Sequence, residues 1–170
     1  MSGPMSVVEA IALFRSMKTQ VEMAAAIGVR AGSMLILGEA RAIVGAYQRQ
    51  DTGPFAAWDE LAARTKIERV SLGYTENDPG LRSGAMRDSY GVRMAAAGAV
   101  AVASVGSDMP EAVWFERGTR GAGAMAGDDY HQPPRAVLGV AAFREEHQVV
   151  EGVVMLVLTA LRGETLPGVP

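Results

Sequence analysis

Serines, histidines and paired acidic residues are the groups in this 170-residue chain whose types could do chemistry. Ser83, Ser89, Ser104 and Ser107 are possible nucleophiles, with His131 or His147 as the base that would activate them. No Gly-x-Ser-x-Gly elbow surrounds any of the four, so they read as ordinary polar residues. Asp128-Asp129-Tyr130-His131 offers oxygen and imidazole donors to a cation. Adjacent residues point in different directions, and no other histidine or carboxylate stands at ligand spacing. A solvated turn before Pro133 is the better reading. The glycine-rich run Gly118 to Gly127 invites comparison with phosphate-binding loops, but it lacks the Gly-Lys-Ser/Thr ending and joins no clear strand to a helix. It reads as a flexible loop. The lack of cysteine excludes disulfides, thiolate zinc sites and thiol nucleophiles. Nothing here requires catalysis, a metal or a cofactor.

Arg82 and Arg87 stand five residues apart, with Asp88 beside the second. They suit either a surface ion pair of small worth or a contact between subunits, where a planar guanidinium pairs well.

These residues must be positioned by helices at both ends of the chain and by strands between them. Val7, Ile11, Phe14, Met17 and Val21 recur at helical spacing over residues 6–27, with Ser6 and Glu9 forming a capping-box pattern. Gly28 or Gly32 is expected to end or kink that helix, and a second helix follows over 32–49. Residues 55–66 read as a short amphipathic helix or turn, and 67–84 as a long loop with one helical turn after it. Strand patterns begin at Tyr90: residues 90–94 and 99–105 flank Ala97-Gly98, a natural hairpin site. Val100 and Val102 share one face and Ala99, Ala101, Ala103 and Val105 the other, which predicts a strand covered on both sides. Residues 111–117 suit a short helix or strand. A last helix runs over about 140–162, and residues 163–170 form a loose tail.

Size suits one domain spanning 1–170, helical over about 6–50. Hydrophobic residues make up 49% and aromatic residues only 6%, so the core is small-residue packing, and surface hidden in an assembly is expected. The formal charge is −3, most negative after residue 100, and no basic cluster suits phosphate. The N-terminus lacks the basic start and apolar core of a signal peptide. No stretch of about 18 apolar residues is expected to span a membrane. A soluble protein made in a cytoplasm is expected.

Five segments fall in an informative order. Trp58-Asp59-Glu60-Leu61-Ala62-Ala63-Arg64-Thr65 resembles a Trp-x-x-Leu-x-x-x-Thr segment of phage virion-morphogenesis and tail-completion proteins. The stretch from Asn77 to Ser89 is similar to their Pro-Leu-x-x-Thr-Gly-x-Leu-x-x-Ser signature. Val105-Gly106-Ser107, Ala112 to Thr119, and Pro133 to Leu138 resemble three further blocks of that family. The likeness covers about 55–140. Ser83, Met86 and Ala136-Val137 depart from the usual residues, and an extra glycine separates Pro79 from Leu81.

The resemblance implies an α+β subunit, with a small antiparallel sheet packed by helices, assembled into a ring at the head–tail joint of a virion. A hexamer is expected on the tail side, and twelve copies nearer the portal. Neighbouring neck, terminator or tail-tube proteins are the implied partners, with genomic DNA passing through the lumen without specific binding and no membrane involved. Synthesis is expected in the cytoplasm of a bacterial host. Leu81, Arg82, Arg87, Asp88, Trp114, Glu116, Arg117, Arg120 and Arg135 are the candidate contact residues. The Asn77–Ser89 and Gly118–Gln132 loops would carry them. Another neck protein such as a tail terminator is the alternative within that biology. A small hydrolase or ligand-binding protein using residues 118–131 is the alternative outside it.

Overall fold

A computed structural model describes residues 5–97, 100–120 and 131–167. The chain is α+β. Its order is α1 (Val7–Ile43), α2 (Ala63–Ser71), α3 (Ala85–Ser89), β1 (Tyr90–Ala97), β2 (Val100–Ser107), α4 (Pro110–Arg117), β3 (Thr119–Arg120), β4 (His131–Gln132) and α5 (Leu138–Leu161). Strands β1 and β2 form one two-stranded sheet. In the other, β3 and β4 pair antiparallel, with Thr119 opposite Gln132 and Arg120 opposite His131. The expected hairpin turn at Gly98, the acidic Asp128-Asp129-Tyr130 cluster and most of the glycine-rich loop lie outside the described residues.

Residues Met1–Ser33, Met94–Ser104 and His147–Pro170 make a first compact unit, and Met34–Arg93 with Val105–Glu146 a second. In the second, Leu37, Ile43, Trp58, Met86, Tyr90, Phe115 and Val140 belong to one apolar cluster. In the first, Ala24, Ala160 and Leu166 form a smaller one, with Val21, Ile27 and Val157 packed against it.

The two expected N-terminal helices are one helix of 37 residues. Glycine in a helix interior costs about 1 kcal/mol against alanine, which is why a break was expected. Here the missing side chains are used in packing. A Cβ on Gly28 would lie 3.0 Å from the Val153 Cα, and one on Gly32 would lie 2.6 Å from Val149 Cγ1. The two glycines let α5 approach α1 closely. The capping box forms as expected: the Glu9 carboxylate accepts the Ser6 amide at 2.8 Å, and the Ser6 hydroxyl accepts the Glu9 amide at 3.3 Å.

Continuity also corrects the expectation about membranes. As one helix, α1 is long and apolar enough to cross a bilayer. From Met23 to Ala40 it carries only Arg30 and Glu39 as charges.

Three further expectations change. Helix α2 occupies 63–71, so it begins in the segment expected as a short helix or turn and runs on into residues expected to be loop. Strand β2 is not covered on both sides, because Val100 and Val102 remain 59% and 49% exposed. The tail is not wholly loose, because Leu166 is buried beside Ala24 and Ala160.

Candidate functional site

The five resembling segments meet within the second unit. Trp58 is buried and meets Phe115 edge-on, with ring centroids 5.4 Å apart. Gly80 takes φ +76°, and a Cβ there would meet Met86 at 2.8 Å and Phe115 at 3.0 Å, so glycine is required where the loop crosses the core. The hydroxyls of Ser89 and Ser107 lie 2.6 Å apart, joining the end of α3 to the end of β2. Ser89 also donates to the Met86 carbonyl, and Ser107 accepts the Met109 amide.

Around this core runs an open groove of about 430 Å³. Leu61, Thr65 and Arg69 form one wall, Gly80 with Arg82 to Met86 another, and Met109, Glu111, Trp114 and Phe115 a third, with Gln132 and Arg135 closing it. Its floor is apolar and its rim carries Arg82 and Glu111.

Eight of the nine candidate contact residues divide by where their side chains go; the Arg120 side chain lies outside what the structure describes. Glu116 is engaged inside the chain: its carboxylate accepts the amides of Val137 at 2.7 Å, Leu138 at 3.0 Å and Gly139 at 3.0 Å. A carboxylate supplied by the end of α4 thus caps the N-terminus of α5, where unpaired amides and the helix dipole favour negative charge. Arg135 is buried, donates to the Asp59 carbonyl at 3.0 Å, and lies over the Phe115 ring. Leu81 packs against Gly45 and the core, and its carbonyl accepts a bond from Arg69 at 2.7 Å.

Of the rest, Arg82, Asp88, Trp114 and Arg117 are exposed and Arg87 is half-buried. Arg82 pairs with Glu68 at 3.4 Å. Arg87 pairs with its neighbour Asp88 at 2.9 Å. That hydrogen bond holds the Asp88 carboxyl below its ordinary range, and the same bond pushes the Arg87 guanidinium up. Trp114 is 52% exposed at the groove edge. Arg117 is exposed at the end of α4. Arg120 pairs through its backbone with His131.

Sequence reasoning missed Arg69, a buried arginine that organises the loop after α2. Its Nε donates to the Thr75 carbonyl at 2.7 Å and its Nη2 to the Leu81 carbonyl. Nothing in the sequence separates it from the surface arginines. Tyr90 was read only as a strand start, yet it is buried. Burial, then the nearby Glu116 charge, pushes its phenol up to about 12.

Among the described residues no serine hydroxyl bonds to His147. Ser89 and Ser107 bond to each other and to backbone, and the His147 ring pairs with Glu151 at 3.3 Å. Among the described residues no three His, Asp or Glu side chains gather as metal ligands. Comparison of the chain with protein-family models, curated proteins and solved structures gives no match.

Proposed function

We propose that this chain is a structural subunit of a tailed-phage or phage-like particle, forming a ring at the head–tail joint. The observation that carries the reading is the convergence, in one compact unit, of all five segments that resemble the virion-morphogenesis family. The segments contact one another across its apolar core, as parts of one fold do. Some of their residues build the core, while Arg82, Arg87, Asp88, Trp114 and Arg117 remain outside for a neighbour. A closed ring joins two different faces of each copy. Arg82 and Trp114 on the groove rim, beside an apolar floor, suit one of them, since arginine and tryptophan are favoured at such contacts.

On this reading the protein performs no catalysis, and its partners are further copies and adjacent neck or tail proteins. Its excess of negative charge suits a conduit through which DNA passes unheld. Six copies are proposed for a tail-side ring and twelve for a portal-side one. The groove supports a second reading, a ligand-binding protein, because its volume falls in the range of small-molecule sites.

The test is assembly of particles carrying Arg87→Glu or Trp114→Ala. Heads and tails that form separately and do not join, from variants that fold normally, are the expected result. Normal particles from both would sink the contact assignment. Absence of the protein from purified particles would sink the reading itself.

A further inference from the structure

Arg69 carries a charge that the fold buries without an acidic partner. The residue is 2% exposed. Its hydrogen bonds all go to neutral oxygens: Nε and Nη2 reach the Thr75 carbonyl, the Thr75 hydroxyl and the Leu81 carbonyl. The third nitrogen, Nη1, has no partner among the described residues, and no carboxylate among them pairs with the guanidinium. Arg82 and Arg87, by contrast, each sit beside an acid. Taking a cation out of water is costly unless a counter-charge or a full set of acceptors takes the water's place.

This guanidinium lines the groove of about 430 Å³ in the second unit. Thr65, one turn earlier on the same face of α2, lines it too, with its hydroxyl available as a second donor. Much of the remaining lining is apolar and includes Leu61, Met86, Met109, Trp114 and Phe115.

We infer that the groove binds a small organic monocarboxylate with an apolar or aromatic body. The carboxylate accepts a hydrogen bond from Arg69 Nη1, and the body lies on the apolar lining. Charge selects the anion. One negative charge compensates one guanidinium, since Glu68 already answers Arg82 and the Asp59 carbonyl and Phe115 ring hold Arg135. A phosphate dianion would bring surplus negative charge to a lining that includes Glu111. Depth selects a small molecule over a neighbouring subunit. Only a group that enters the groove reaches a residue 2% exposed, whereas a neighbour seated on Arg82 and Trp114 makes its contacts at the rim. The volume also falls in the small-molecule range. The inference rests on the second, ligand-binding reading of the groove and requires no ring.

Calorimetric titration of the full chain with phenylbutyrate tests it, with the uncharged phenylbutyramide as its match in shape. The carboxylate is expected to bind about 10-fold more tightly than the amide, the difference between a charged and a neutral partner for Arg69. Inorganic phosphate is expected not to displace it. Ser83→Trp, at an exposed position of the lining, is expected to keep its helical circular dichroism and lose binding, because the indole fills the groove. Arg69→Met is expected to bind the two probes alike. The probe comparison and Ser83→Trp decide the matter even where Arg69→Met does not fold. Absence of binding at millimolar phenylbutyrate, equal affinity for both probes, displacement by phosphate, or unchanged binding by Ser83→Trp overturns the proposal. So does a folded Arg69→Met that still prefers the carboxylate. Binding of the blocked peptide acetyl-Leu-Glu-Leu-amide in place of phenylbutyrate would assign the groove to a protein segment, and overturns it as well. Head–tail joining is read on particles, so failure of the titration leaves that reading standing.

Discussion

Glu116 holds the amide of Val137 at 2.7 Å across 21 residues of chain, so the last turn of α4 supplies the cap of α5. The same carboxylate takes the next two amides. Replacing it with alanine removes acceptors from three amides at once. Glu116→Ala is expected to lower stability by about 1–2 kcal/mol in urea unfolding, near the upper end of capping effects. Glu116→Gln, which retains one oxygen acceptor, should fall between. A variant as stable as the parent would show that water replaces the cap without loss.

The glycines of α1 predict opposite outcomes at two positions. Gly28→Ala gains helix propensity but sets a methyl 3.0 Å from the backbone of Val153. Overpacking outweighs propensity there, and a net loss of about 1 kcal/mol is expected. Gly38 has nothing within 4 Å of where a Cβ would stand, so Gly38→Ala is expected to gain about 0.5–1 kcal/mol. Thermal melts of the two variants side by side check the contrast.

Helix type and strand position were legible in the sequence because apolar spacing records them directly. The union of the first two helices was not, since a glycine that breaks a helix and a glycine that admits a neighbouring helix look alike without the neighbour. The run of α2 beyond residue 66 escaped because Ile67 and Val70, its large apolar residues, are 71% and 57% exposed and mark no core stripe. The exposure of Val100 and Val102 was hidden for the converse reason, as alternation identifies two faces without saying which is covered. At the candidate site, the exposure of Arg82, Asp88 and Arg117 was legible from their charge. The inward turn of Glu116 and Arg135 was not, because it depends on the start of α5 and the carbonyl of Asp59.

Tyr90 gives the fold a sensitivity to alkali. Its phenol is neutral when buried, and its pKa is raised from 10.0 to about 12. A raised pKa means the stabilising contribution is whole below pH 10.0 and is lost as pH climbs through about 12. Tyr90→Phe has no phenol to ionise. The difference in melting temperature between parent and variant is therefore expected to shift in favour of the variant across that interval. A constant difference would place the ionisation elsewhere.

Arg69 predicts a local effect. Its guanidinium spans the carbonyls of Thr75 and Leu81, a fork that a lysine ammonium does not reproduce. Both Arg69→Lys and Arg69→Met should destabilise, by about 1–3 kcal/mol where buried carbonyls lose their donor. Amide exchange over residues 72–84 is expected to rise more than exchange in α5. Uniform change across the chain would argue against a loop-specific role.

The inward commitment of Glu116 bears on which positions of this chain are free to change. A residue that caps a helix inside its own molecule is constrained by folding, whatever the molecule touches. Lineages can therefore keep Glu116, Trp58 and Gly80 while exchanging one docking partner for another. On the proposed reading, a change of docking partner would be written in Arg82, Arg87, Trp114 and Arg117, which the fold leaves at or near the surface.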